Sequence, residues 1–182
     1  MQKENNQFNV EQVELLNNVH EIKESVKGKG TAWNRFRGDA ITKVVAYSLE
    51  KHLPKNVKIV RLSWIENCPT EFDLLIVDND AEFNGFTSAY PKEKVHLLIE
   101  VKGSGFFYKK DEVEQKVKEL FDKWRNDTGK PVLYFSLWER SSDYAQRMVR
   151  AVGKDYTFLI QIKMEINQGE WERFVKAVKS YL

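Results

Sequence analysis

The sequence predicts an α/β fold: a mixed central β-sheet of about five strands flanked by helices, with an N-terminal helical extension. Three observations carry this. Short apolar runs of strand character are interspersed with longer stretches of helical periodicity. Three of those runs follow one another over residues 57–102, which suits an antiparallel meander, and the later ones alternate with helices, which suits parallel pairing. The chain has 182 residues, 42% hydrophobic and 31% charged, enough to bury a full core in one ordinary domain.

Val10, Val13, Leu16, Val19, Ile22 and Val26 recur at helical spacing and predict an amphipathic helix over 10–26. The run KGKGT at 27–31 is a flexible basic joint, so residues 1–28 read as a helical extension and 29–182 as the α/β core. A second helix starts at Thr31 or Trp33 and ends at Leu53, before Pro54. VKIVRL at 57–62 alternates with period two and predicts a strand; NCPT breaks it, and EFDLLIV at 71–77 is the next. A polar connection over 78–94 carries Asn79, Asn84, Thr87 and Ser88, and reads either as a hairpin loop or as a segment entering a nucleic-acid groove. VHLLIEVK at 95–102 is the third strand, closed by the loop GSG.

A helix follows over 111–125, its apolar stripe made of Val113, Val117, Leu120, Phe121 and Trp124. PVLYFSLW at 131–138 is almost wholly apolar, as a strand buried on both faces is. Residues 142–152 predict a helix, 156–162 a strand and 171–181 a closing helix.

Several function classes fall away. A lone cysteine, Cys68, excludes an internal disulfide framework and a multi-cysteine zinc site, so a reducing, cytoplasmic setting is expected. The first twenty residues are polar, so no signal peptide is expected, and no apolar run approaches the ~18 residues that a membrane span needs. Ser104 lacks the glycine spacing of a nucleophile elbow, there is no Walker loop, and His20, His52 and His96 are dispersed. The net charge of +2 decides nothing about nucleic acid, because an enzyme can gather positive charge on one face.

The third strand holds the chemistry. Side chains alternate faces along a strand, so Val95, Leu97, Ile99 and Val101 share one face while His96, Leu98, Glu100 and Lys102 share the other. Two opposite charges ending an apolar strand need a reason, since buried ions are costly unless paired or bound to a metal. The second strand offers a partner in Asp73. Antiparallel pairing of the two would set Asp73 beside Glu100, giving two carboxylates and an ammonium at one sheet edge, an oxygen-donor set suited to Mg²⁺. Glu-x-Lys occurs three times in the chain, but the copies at Glu21 and Glu114 fall on predicted helices, where i and i+2 do not face each other.

Asp73 followed by Glu100-Val101-Lys102, within helix–three strands–helix–strand, resembles the PD-(D/E)XK nuclease superfamily, the restriction-endonuclease-like fold, over roughly residues 33–138. Phe72 stands where that family often has proline. The resemblance implies that Asp73, Glu100 and the carbonyl of Val101 hold Mg²⁺, for which Mn²⁺ would substitute, and that Lys102 positions or helps deprotonate the attacking water. It implies a polar residue from the following helix, best matched by Gln115, and an acid from the preceding helix, with Asp39 and Glu50 as the candidates and a solvated helix charge an equal reading for each.

The implied activity is metal-dependent endonucleolytic hydrolysis of DNA, of restriction or repair type, leaving a 5′-phosphate. The alternatives are a nuclease of RNA or branched DNA and a non-catalytic nucleic-acid-binding or assembly module of the same fold. Lys29, Arg35 and Arg37, interleaved with Trp33 and Phe36, suit phosphate contact and base stacking, or else a helix start with core aromatics. Lys109 and Lys110 after the glycine loop suit a DNA backbone or a solvated pair. The helix over 10–26 could supply a homodimer surface or pack on its own core.

Overall fold

A computed structural model describes residues 31–87, 89–103, 109, 111–138, 142–162 and 165–182. The expected extension at 10–26, together with Lys29 and Lys110, lies outside them. The elements are α1 (Thr31–Glu50), β1 (Val57–Ile65), β2 (Glu71–Asp78), β3 (Ala89–Tyr90), β4 (Val95–Lys102), α2 (Val113–Thr128), β5 (Val132–Trp138), α3 (Ser142–Val152), β6 (Thr157–Ile162), β7 (Glu165–Ile166) and α4 (Gln168–Lys179). The strands form a 7-stranded sheet in the order β3-β1-β2-β4-β5-β6-β7.

The mixed character follows the expected split. β1–β2 and β2–β4 pair antiparallel, and β4–β5 and β5–β6 pair parallel. The sheet exceeds the five expected strands because two-residue pairings, β3 on β1 and β7 on β6, extend its edges. Runs this short carry no period that a sequence can reveal. β1 runs three residues past its predicted end, and α1 stops at Glu50 rather than Leu53, as Leu49 and Glu50 carbonyls accept the turn amides of His52 and Leu53.

Helices cover both faces. On one, Ile41, Val45 and Leu49 of α1 and Trp171, Phe174 and Val178 of α4 pack on Leu74, Ile76, Ile99 and Phe135. On the other, Val117, Phe121 and Trp124 of α2 and Met148 of α3 pack on Leu75, Leu98, Val132 and Tyr134. Each fully buried Leu, Ile or Phe here contributes about 1.5–3 kcal/mol of apolar transfer. β5 is buried along its whole described length, Ser136 included, as a central strand with helices on both sides must be. α2 ends at Gly129, whose φ of 65° lets its amide bond Arg125 O.

One expectation fails locally. β4 pairs Leu97 with Ile76 but Val95 with Val77, so His96 is an extra residue in the ladder. This bulge moves Val95 into the α2/α3 layer, away from Leu97, Ile99 and Val101 in the α1/α4 layer. From Leu97 to Lys102 the alternation is uninterrupted, so the strand's chemical end keeps its predicted facing.

Candidate active site

Antiparallel pairing sets Leu74 opposite Ile99, which brings Asp73 level with Glu100. Asp73 shares parity with Leu75, and Glu100 and Lys102 share parity with Leu98, so all three belong to the α2/α3 face. Asp73 Oδ2 accepts a hydrogen bond from the Val101 amide at 2.9 Å, tying the carboxylate to the neighbouring backbone. The same oxygen lies 3.5 Å from Lys102 Nζ, and Lys102 also contacts Glu100 Oε1. Two acids and one amine thus form a single cluster at the end of β4.

Burial sets its electrostatics. Glu100 is 7% exposed. Desolvation pushes its pKa from 4.5 up to about 7; the Asp73 charge adds to the rise and Lys102 opposes it. Burial by itself would lower Lys102, but the facing Glu100 and Asp73 outweigh it, and the ammonium stands above its ordinary value. The lysine therefore stays charged at neutral pH while Glu100 is poised between its two forms.

β5 adds two residues that sequence reasoning passed over. Parallel pairing sets Tyr134 against Glu100 and Ser136 against Lys102, and both are buried. Burial, followed by Tyr144 and then smaller effects including Glu100, drives the Tyr134 phenol well above its usual range, so it keeps its proton. The sequence carried only part of this signal: Tyr134, Ser136 and Trp138 are same-parity polar positions in an otherwise apolar strand, but which residues they meet depends on the strand pairing.

The other candidates lie elsewhere. Gln115 is exposed on α2 and its amide donates to Glu119 at 2.8 Å, a contact along the helix rather than to the carboxylates. Asp39 pairs with Lys43 and Arg61. Glu50 is exposed at the end of α1, a helix that packs on the opposite face of the sheet. No three His, Cys, Asp or Glu side chains gather among the described residues, so neither helix acid joins the pair. Arg35 and Lys109 are exposed; Arg37 falls within α1, its side chain outside the described set.

The donor set fits a hard divalent cation: two carboxylates, one anchored by a backbone amide and one desolvated, with the Val101 carbonyl next after Glu100 along β4. Such ions keep several waters and take further oxygens from a bound phosphate, so two carboxylates are enough.

The fold is restriction-endonuclease-like. Among solved structures it matches NucC of E. coli MS115-1 in its apo form, at a TM-score of 0.53 and 12% identity over 96% of this chain and 93% of that one. NucC of E. coli MS115-1 in its cAAA-bound form aligns at a TM-score of 0.49 and 14% identity, covering 80% of this chain and 72% of that one. NucC of P. aeruginosa ATCC27853, also cAAA-bound, aligns at 0.48 and 18%, covering 78% and 71%. No family model and no curated protein matches the sequence.

Proposed function

We propose that this chain is a divalent-metal-dependent endonuclease that hydrolyses DNA phosphodiester bonds, leaving a 5′-phosphate. The observation that carries the reading is the meeting of Asp73, Glu100 and Lys102 at one strand end, with Asp73 tied to the Val101 amide. Asp73, Glu100 and the Val101 carbonyl would hold Mg²⁺ or Mn²⁺. Bound there, the cation would neutralise charge on the scissile phosphate and lower the pKa of a coordinated water.

The chain's own groups do the rest. Asp73, fixed by a backbone hydrogen bond, cannot swing away when phosphate approaches. Glu100, protonated in part when desolvated, would hold a cation in its anionic form. The Lys102 ammonium would orient the attacking water and stabilise the negative charge that develops in the transition state. Arg35, Arg37, Lys109 and Lys110 would contact the DNA backbone, joined by Lys29.

Plasmid nicking in Mg²⁺ or Mn²⁺ tests this. Wild type should cut, EDTA should stop it, and Lys102→Ala or Asp73→Ala should each lower the rate by about 100-fold or more. Equal cleavage by all three proteins would remove this site assignment. The absence of a third acid among the described residues favours one other reading, a non-catalytic nucleic-acid-binding module. That reading predicts DNA retention with no Glu100-dependent Mn²⁺ binding. A panel of DNA, RNA and branched substrates separates the nuclease readings.

A further inference from the structure

The polar connection between β2 and β4 returns to the catalytic end of the sheet. β3 pairs parallel with the end of β1, Trp64 with Ala89 and Ile65 with Tyr90, while Trp64 also faces Glu71, two residues before Asp73. Just before β3 the chain makes a tight turn. Asn84 bridges Ala89, Asn84 Oδ1 accepts the Phe86 amide at 3.0 Å, and the Thr87 amide bonds Asn84 O. This turn holds Phe86 wholly in solvent, with Phe83 half-exposed beside it.

Between this turn and the β1–β2 turn lies an open recess of about 680 Å³. Trp64, Glu66, Asn67, Asn84 and Thr87 line it, with buried Cys68 among them. Asn67 holds a φ of 62° and the Cys68 amide closes the turn onto Ile65 O, so the recess has a fixed wall. Its lining brings together an indole, two carboxamides that each carry donor and acceptor, a hydroxyl and the Glu66 carboxylate, and the exposed Phe86 ring stands on the adjoining turn. No lysine or arginine stands among its described lining residues and a carboxylate does, so these residues do not suit phosphate.

We propose that this recess receives an unstacked nucleobase of the substrate strand. The proposal rests on the nuclease reading of the neighbouring site. Trp64 and Phe86 supply stacking surfaces, and Asn67 and Asn84 read the edge of the base. At the spacing of adjacent strands the recess lies about 10–15 Å from Glu100, or roughly three to four base steps at the duplex rise. The consequence is a base preference at that offset from the cut, or a preference for strands whose bases are already unpaired there.

The test uses the full chain and single-stranded oligonucleotides with one 2-aminopurine, first in EDTA, where nothing is cut. Asn67→Gly keeps the left-handed backbone and removes the amide; Asn84→Asp keeps the acceptor for the Phe86 amide and removes the donor; Phe86→Ala alters only an exposed ring. Wild type should change 2-aminopurine fluorescence on binding, and each variant should weaken binding about tenfold. In Mg²⁺ the variants should still nick plasmid but lose their bias in cut position.

An unchanged signal with wild type, or identical signals and identical cut maps across all four proteins, overturns the proposal. Displacement of the base by a free nucleoside monophosphate would assign the recess to a mononucleotide and also overturn it. Failure of the nuclease reading is separable. If wild type never cuts but its signal is lost in Asn84→Asp, the recess still binds a base and only the catalytic assignment falls.

Discussion

The β2–β4 pair carries a charged cluster at each end, and the two differ in burial more than in composition. At one end stand Asp73, Glu100 and Lys102; at the other, Asp78, His96 and Lys94. The Glu100 side chain is 8% exposed, whereas Asp78 and His96 are 29% and 30% exposed. His96 Nε2 lies 2.7 Å from Asp78 Oδ1, and this hydrogen bond, against a smaller burial effect and helped by Lys94, holds Asp78 below its ordinary range. Desolvation drives Glu100 the opposite way. The exposed group is an already satisfied anion that gains little from a cation, while the buried one has a strong electrostatic reason to bind one. Strand ends become sites when helices close over one of them and water keeps the other.

The sharpest way to break this comparison is to remove one acid at each end. Asp73→Ala should cost about 100-fold or more in plasmid nicking, and Asp78→Asn should stay within about threefold of wild type. Comparable losses would mean that burial does not distinguish the ends.

Thermal unfolding in EDTA probes the next effect. The folded pKa of Glu100 is raised from 4.5 to about 7, so folding favours the protonated acid. Its contribution is complete below pH 4.5 and disappears as pH rises through 7. Wild type should lose up to about 3 kcal/mol from this group between pH 5 and pH 8, or roughly 5–10 °C in Tm. Glu100→Gln should lack that slope; an identical pH dependence in both proteins contradicts the burial argument. Asp78 should act with the other sign, supporting the fold above its ordinary pKa and losing that support as pH falls.

The smallest effect concerns Leu62. It holds a φ of 49° in β1, between the Arg61–Leu74 and Ser63–Phe72 pairs and thus level with Asp73. A left-handed leucine is strained, so Leu62→Gly should raise stability by about 0.5–1 kcal/mol in a denaturant titration. A fall in stability would mean that the half-exposed side chain matters more than the strain.

Much of this was readable from residues. The alternation from Leu97 to Lys102 fixed which face Glu100 and Lys102 share, and the apolar run EFDLLIV placed Asp73 on a neighbouring strand, because period-two patterning survives wherever a strand is buried. The bulge at His96 was not readable, since one extra residue leaves the composition unchanged and shifts only the register. Nor was the partnership of Tyr134 and Ser136 with Glu100 and Lys102, which depends on a parallel pairing across an intervening helix. Gln115, Asp39 and Glu50 show the converse limit: being on the right helix does not decide which way its surface faces.

Calorimetric titration of Mn²⁺ at pH 8 into wild type, Asp73→Ala and Asp78→Asn tests the central claim most directly. The account predicts binding in wild type and Asp78→Asn and its loss in Asp73→Ala. Binding unchanged by Asp73→Ala, or abolished only by Asp78→Asn, would place the ion at the open end of the strand pair and contradict it.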